Sequence, residues 1–527
     1  MASAARPDGA SQGMLATLRR KRFRTVWIAN LAANFGWLIQ GVGAAWLMTQ
    51  LDPRPDMVAL IQTATQAPIL LLALIAGAAA DVWDRRTVLI VAQAWVLGIS
   101  ALLAVLAWGG VVGPWLLLLL TFALGAGAAL NGPAWQAVVR ELVPARELAA
   151  AVTLNAVAFN LARSLGPALG GTVVAAAGAE AAFLLNALLG IGMLVVLFGL
   201  RRTEREPDLP RERVGGAVIA GLRYVSQAPP IQATLLRGLV FGFAAASVMA
   251  LLPVLAREQM GGGPVLYGVL LGSFGVGAMG GAFLIHPMRH RLGNEQLVTI
   301  LSGIFGAATL VAGLFPVLPV VIVALPFAGA AWLGAFSTFN IAVQMSSAFW
   351  VQARMLSIYQ MVVFGGMALG SWIWGELAHG IGTPASLAVS GAVMLASLAL
   401  HLVARLPGGE ARDLRPAPDW QRPEPKVDFD IEEGPVLVLV EYKVALDDAR
   451  AFATAMDEVG HLRRRDGARR WQLFQDTSDA EHWVEAFTVG SWLEHLRQLR
   501  RMTAADGAVV AQATRFHRDA APRSCAA

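Results

Sequence analysis

Few side chains in this chain are typed and spaced for bond-making chemistry. The one cysteine, Cys525, excludes an internal disulfide and a thiolate metal cluster. His286 and His290 stand at i, i+4, but no third ligand accompanies them, so no metal is expected. A Gly-x-x-x-x-Gly-Lys-Ser/Thr phosphate loop is absent, which disfavours ATP-driven work, and no cofactor is expected. Glu376 and His379, at i, i+3, read either as a titrating pair or as a solvated helix end. What remains is recognition chemistry: Arg163, deep in an apolar stretch, and the amides Asn34, Gln40, Asn155, Asn160, Asn340 and Gln344. A buried arginine must meet an acid, backbone carbonyls or an anion. Arg163 therefore either binds an anionic or catechol-like molecule or braces helices through carbonyls and asparagines. The amides read either as a polar lining or as hydrogen bonds between helices.

The elements that must hold these residues are apolar helices. Twelve stretches run over approximately 23–50, 57–81, 87–108, 113–138, 147–174, 180–200, 231–256, 265–288, 295–315, 317–343, 353–377 and 383–405. About 20 helical residues cross the hydrocarbon core, so each is long enough to span a bilayer. The composition agrees: 527 residues, 56% hydrophobic and 15% charged, where soluble domains carry about 25% charge. Counting from Glu147 at about 1.5 Å per residue, Arg163 falls past the midplane of the fifth span. Trp27, Trp37, Trp46, Trp332 and Trp372 fit either interface anchors or cavity wall.

Charge sets the expected orientation. Residues 1–406 carry 24 Lys/Arg against 15 Asp/Glu, and residues 407–527 carry 17 against 21. An inside N-terminus puts Arg85, Arg86, Arg140, Arg146, Arg289, Arg291 and Arg354 in cytoplasmic segments and leaves Arg54 and Arg257 outside. Both termini are then cytoplasmic, and the basic balance reads as membrane topology, with no nucleic-acid stripe. The expected organisation is a basic arm at 1–22, a six-helix bundle at 23–200, a cytoplasmic linker at 201–230, and a second six-helix bundle at 231–405. A linker follows at 406–433, then a small domain at 434–518 and a flexible tail at 519–527. Two halves joined by a long loop suggest an internal duplication with a binding site between them.

Two motifs resemble a known family. Gly77-Ala-Ala-Ala-Asp81-Val-Trp-Asp84-Arg85-Arg86 resembles the loop 2–3 signature of the major facilitator superfamily, departing from it at Val82 and Asp84. Asp81 with Arg85, Arg86 and Arg140 would act as a latch between halves; the plainer alternative is an ordinary basic inner loop. Ala162-Arg163-Ser-Leu-Gly166-Pro167-Ala-Leu-Gly170-Gly171 resembles the superfamily's antiporter motif, with Ala162 for its first glycine. Glycines four apart let a neighbouring helix approach, and the proline frees a carbonyl. Pro133 through Glu141-Leu-Val-Pro144, Ala250-Leu-Leu-Pro253, and Tyr267-Gly268 with Phe274-Gly275-Val-Gly277 look like the enterobactin-exporter, or transmembrane secretion effector, branch. The resemblance implies an all-α carrier of twelve helices in a bacterial plasma membrane. It would export siderophore-like or drug-like small molecules by alternating access, coupled to protons. An importer of the same fold, or an anchor for a sensory or enzymatic tail, are the competing readings.

The tail reads differently. Val436, Val438, Val440 and Tyr442 alternate as a strand. A helix bearing Phe452, Met456 and Val459 follows, then strands at Trp471–Phe474 and Trp483–Phe487. Ser491-Trp-Leu-Glu494 opens a helix, and Val509–Phe516 is expected as the last strand. This order suggests a ferredoxin-like α+β domain. It looks like small domains related to antibiotic-biosynthesis monooxygenases, and is read as a regulatory or self-associating module rather than an enzyme.

Overall fold

The computed structural model describes residues 14–82, 84–144, 147–200, 214–407, 413–415, 430–519 and 523–526. The side chains of Asp81, Arg140, His286 and His290 lie outside the described residues. The chain divides into two compact units. The first holds Met1–Val214, Ala233–Ile341 and Leu356–Gly408; the second holds Gly215–Gln232, Ala342–Met355 and Gly409–Ala527.

The first unit is built from long apolar helices. They are α1 (Lys21–Leu51), α2 (Pro55–Val82), α3 (Arg85–Trp108), α4 (Pro114–Leu142) and α5 (Leu148–Phe198). After α6 (Val214–Ser226) come α7 (Pro229–Val254), α8 (Pro264–Leu314), α9 (Leu318–Met345), α10 (Gln352–Ile381) and α11 (Thr383–Ala396). Among the described residues, eleven helices are long and apolar enough to cross a membrane by length and composition, one of them a 49-residue stretch, Ala150–Phe198. That stretch would be about 74 Å long if straight, more than twice a hydrocarbon core. It reverses at Gly178, whose φ of 80° is open to glycine without a Cβ clash. Gly293, with φ 72°, divides α8 in the same way. Counting α5 as two, the described residues hold twelve membrane-length segments, as the hydropathy pattern implies. The protein is a multi-pass membrane protein.

In the second unit, β1 (Val436–Lys443), β2 (Arg469–Gln475), β3 (His482–Val489) and β4 (Arg523–Ala526) form one sheet in the order β2-β3-β1-β4. Neighbours run antiparallel, with Val436 opposite Val489 and Val438 opposite Ala526. The helices are α12 (Ala449–Asp466), α13 (Trp492–Arg501) and α14 (Ala504–Thr514). Val436, Val438, Val440 and Tyr442 are buried on one face of β1, with Phe452, Met456 and Val459 of α12 also buried. This is the expected ferredoxin-like order, with one correction. Val509–Phe516 is not a strand: α14 runs through Thr514, capped at its start by a reciprocal Thr503–Asp506 box. The fourth strand is Arg523–Ala526, inside the segment expected to be a flexible tail. Local capping overrode the apparent apolar alternation there.

Candidate functional site

The site begins with how α5 is seated. It runs beside α1 in a constant register. Trp27 Nε1 donates to Leu154 O at 3.0 Å, and a Cβ on Gly166 would stand 3.1 Å from Leu38 Cβ. A Cβ on Gly170 would stand 3.1 Å from Ile39 Cα. The same register sets Asn34 level with Ala162 and Arg163. Gly166 and Gly170 thus serve close packing within the first half, as glycines four apart should.

The adjoining residues of the motif face the other half. A Cβ on Gly171 would lie 2.5 Å from Pro264 O, one on Gly268 2.5 Å from Pro167 O, and one on Gly275 2.5 Å from Arg163 O. Each distance is too short for a side chain, so α5 and α8 meet backbone to backbone. Proline has no N–H, so Pro167 leaves the carbonyl four residues back, that of Arg163, without its helical donor. Gly275 approaches that same carbonyl. Contacts between α2 and α10 continue the junction: Thr63 Oγ1 donates to Ala368 O at 3.0 Å, and a Cβ on Gly375 would lie 2.4 Å from Ala59 Cβ. Trp46 also stacks on Tyr267 with centroids 6.5 Å apart.

Arg163 sits at the deep end of this junction. Its guanidinium carbon lies 3.8 Å from the centroid of the Trp332 ring and 5.8 Å from that of Phe274. Trp332 is itself wedged between Phe336, at 4.5 Å, and Phe274, at 6.2 Å. The arginine is half-buried, and among the described residues no carboxylate is paired with it. A stacked guanidinium keeps its N–H groups in its own plane, where they can grip an anion side-on. Stacking recovers up to about 2 kcal/mol when desolvated, whereas an arginine near the bilayer centre costs about 2.5–3.5 kcal/mol on insertion scales. The aromatic face alone therefore leaves a deficit. Trp332 Nε1, Asn155 Oδ1 and Asn160 Oδ1 are buried without a hydrogen-bond partner, although Asn160 Nδ2 donates to Ala156 O at 2.8 Å. An indole N–H on α9 and two amide oxygens on α5 are thus left with open hydrogen-bonding capacity, beside a cation on α5.

The other candidates distribute unevenly. Asn34 and Asn340 are half-buried in the first unit, on α1 and α9. Gln344 belongs to the second unit, where its carbonyl accepts from Gln352 Nε2 at 3.4 Å. Gln40 is structural: with Ser100 and Asn186 it forms a buried triad, Ser100 Oγ donating to Gln40 Oε1 at 2.9 Å and Asn186 Nδ2 to Ser100 Oγ at 3.0 Å. Asp84, the departure from the loop signature, caps α3 by accepting from Arg86 N at 3.0 Å. Arg86 donates to Leu197 O at 2.9 Å and Phe198 O at 2.7 Å, closing the end of α5. Arg85 is half-buried, and the Asp81 and Arg140 side chains fall outside the described residues. His379 faces Asp56 rather than pairing with Glu376 alone: its Nδ1 lies 3.7 Å from Asp56 Oδ1, joining α10 to α2, and both Glu376 and His379 are exposed.

Sequence reading missed the half-buried Arg237–Glu295 pair of the second half. Glu295 also accepts from Leu406 N at 2.7 Å, where the chain leaves the last span. It also missed the α8 glycines as the counterpart of the motif on α5. Their spacing, Gly268 to Gly272 and then Gly275, was the available signal.

A model of the family described as transmembrane secretion effector matches residues 12–526. The chain is 26% identical to the multidrug efflux pump Tap of Mycobacterium tuberculosis over 416 residues, 76% of this chain and 96% of that protein. It is 25% identical to the staphyloferrin A transporter of Staphylococcus aureus over 52% of this chain and 69% of that one. Among solved structures, a bacterial homologue of the lysosomal transporter Spinster, inward-facing, matches with a TM-score of 0.57 and 13% identity, covering 75% of this chain and 96% of its own. A D-xylose-proton symporter matches with a TM-score of 0.59 and 11% identity, over 74% and 99%. With twelve membrane-length segments among the described residues, and a family match that spans nearly its whole length, this chain belongs to the transmembrane secretion effector family of major facilitator transporters.

Proposed function

We propose that this protein exports drug-like or siderophore-like small molecules by alternating access, coupled to protons, in a bacterial plasma membrane with both termini in the cytoplasm. The observation that carries this reading is Arg163: a cation with no carboxylate partner among the described residues, stacked on Trp332 where α5 of one half meets α8 of the other. Asn34, Asn155, Asn160 and Asn340 extend the binding site around it. An amphipathic molecule with an anionic or catechol group fits best, its acidic group on the guanidinium edge and its ring among Trp332 and Phe274. The Gly166-Pro167-Gly170-Gly171 junction supports export, as the seal on the outward end. Relatives support it too: one is named a multidrug efflux pump and another a staphyloferrin A transporter. Basic residues at the Arg85–Arg86 end support a cytoplasmic assignment for that end. For coupling, the candidate is His379 with Asp56 and the neighbouring Glu376, where α10 meets α2. Self-association is supported by exposed Leu437 and Phe474 on the sheet of the C-terminal domain.

The test is efflux from cells and from oriented vesicles. Arg163→Ala should abolish extrusion while leaving expression and membrane insertion intact. Unchanged efflux removes Arg163 from the mechanism, and net uptake in oriented vesicles overturns the direction.

A further inference from the structure

The second unit joins pieces of chain that are far apart in sequence: α6, the connector between α9 and α10, and the C-terminal domain. Two arginines of the domain make the joint. The Arg465 guanidinium lies 5.3 Å from the Tyr224 ring of α6, and the Arg501 guanidinium lies 4.6 Å from the Trp350 ring of the connector. Tyr224 and Trp350 meet edge to face at 5.7 Å, so the two grips share one aromatic pair. The Tyr224 hydroxyl accepts from Ala348 N at 3.1 Å, and Arg223 Nε donates to Arg465 O at 3.3 Å. Both arginines are held in place from within the domain. Arg465 pairs with Asp466 at 2.9 Å and Asp506 at 2.8 Å, and Arg501 pairs with Glu494 at 2.7 Å.

We infer that the C-terminal domain is a built-in brake, gripping α6 and the α9–α10 connector through Arg465 and Arg501 so that the carrier cycles only when the grip loosens. The regulatory part of this inference rests on the alternating-access reading. The connector leads straight into α10, which meets α2 of the opposite half through Gly375 and Thr63–Ala368. α6 is followed within three residues by α7. A domain that holds both resists the tilting that rocking halves require. Cation–aromatic contacts are individually weak, so the grip can open without unfolding either partner.

The test uses the full chain in nanodiscs with Trp350→Ala, altered on the connector side, and Arg501→Gln, altered on the domain side. Each should speed amide exchange over 214–226 and 342–355 by about tenfold, while β1 and β3 stay protected. With Asn155→Cys as the sole thiol in a Cys525→Ser background, each should slow maleimide labelling from the cytoplasmic side by about threefold, as the carrier visits its other state more often. Unchanged exchange in both variants overturns the grip. Faster exchange with unchanged labelling overturns the brake, and leaves the carrier reading standing wherever the introduced thiol still labels.

Discussion

At the scale of the residue, Arg163 owes its position to three neighbours that differ in kind. Pro167 removes the donor for its carbonyl, Gly275 admits α8 against that carbonyl, and Trp332 covers its guanidinium. Lysine keeps the charge but loses both the flat stacking face and the side-by-side N–H groups. Arg163→Lys is therefore expected to lower efflux by about tenfold or more, well short of rescue, and vesicle transport rates check it. Gln40, Ser100 and Asn186 are the contrasting case, three polar side chains spent on one another. Asn186→Leu leaves the Gln40 carbonyl short of a donor and should destabilise the fold by about 1–2 kcal/mol, read from the melting of purified protein, with transport per folded molecule unchanged. Sequence isolated Arg163 because a lone arginine in an apolar run is costly. It could not separate Asn155 from Gln40, since an amide left without a partner and one that ties helices together have the same spacing.

At the scale of the element, the junction of α5 and α8 depends on glycines that leave no room for a methyl group. Gly171→Val and Gly268→Val should each disrupt the seal and reduce transport by about tenfold or more, with expression retained, because the side chain would stand 2.5 Å from a carbonyl oxygen. Full activity in either variant contradicts the close approach. The Gly-Pro motif on α5 was legible, as was the break of each long helix into two spans. The motif's counterpart on α8 was not, because a motif shows its own glycines and says nothing of the surface they meet. In the C-terminal domain, α14 took residues that alternate like a strand because the Thr503–Asp506 box fixes a helix start just before them. Buried His495 offers a pH test there. Burial pushes its imidazole below the ordinary value, and the nearby Arg463 charge does the same. The folded value lies below the unfolded one, so the stability it contributes is complete above about pH 6.5 and is lost as pH falls below that. Amide exchange across 436–514 in the whole protein should quicken on acidification, after correction for intrinsic rates, and His495→Gln should flatten the dependence. A His495→Gln protein with the same pH response refutes that assignment.

At the scale of the whole molecule, the membrane part was legible in outline because a bilayer demands unbroken apolar length, and composition alone reveals it. What the sequence concealed was partnership across long separations: Arg237 with Glu295, His379 with Asp56, and Tyr224 and Trp350 with the arginines of the C-terminal domain. Each joins segments whose local patterns are unremarkable on their own. Alternating access demands that the α5–α8 junction part and re-form while solute passes Arg163. Ala168 and Gly272 give a direct handle, since a Cβ on Gly272 would lie 3.5 Å from Ala168 Cβ, within the span of a disulfide. With Ala168→Cys and Gly272→Cys in a Cys525→Ser background, oxidation should stop transport in proteoliposomes and reductant should restore it. Cross-linked protein that transports as fast as the reduced form would contradict the account.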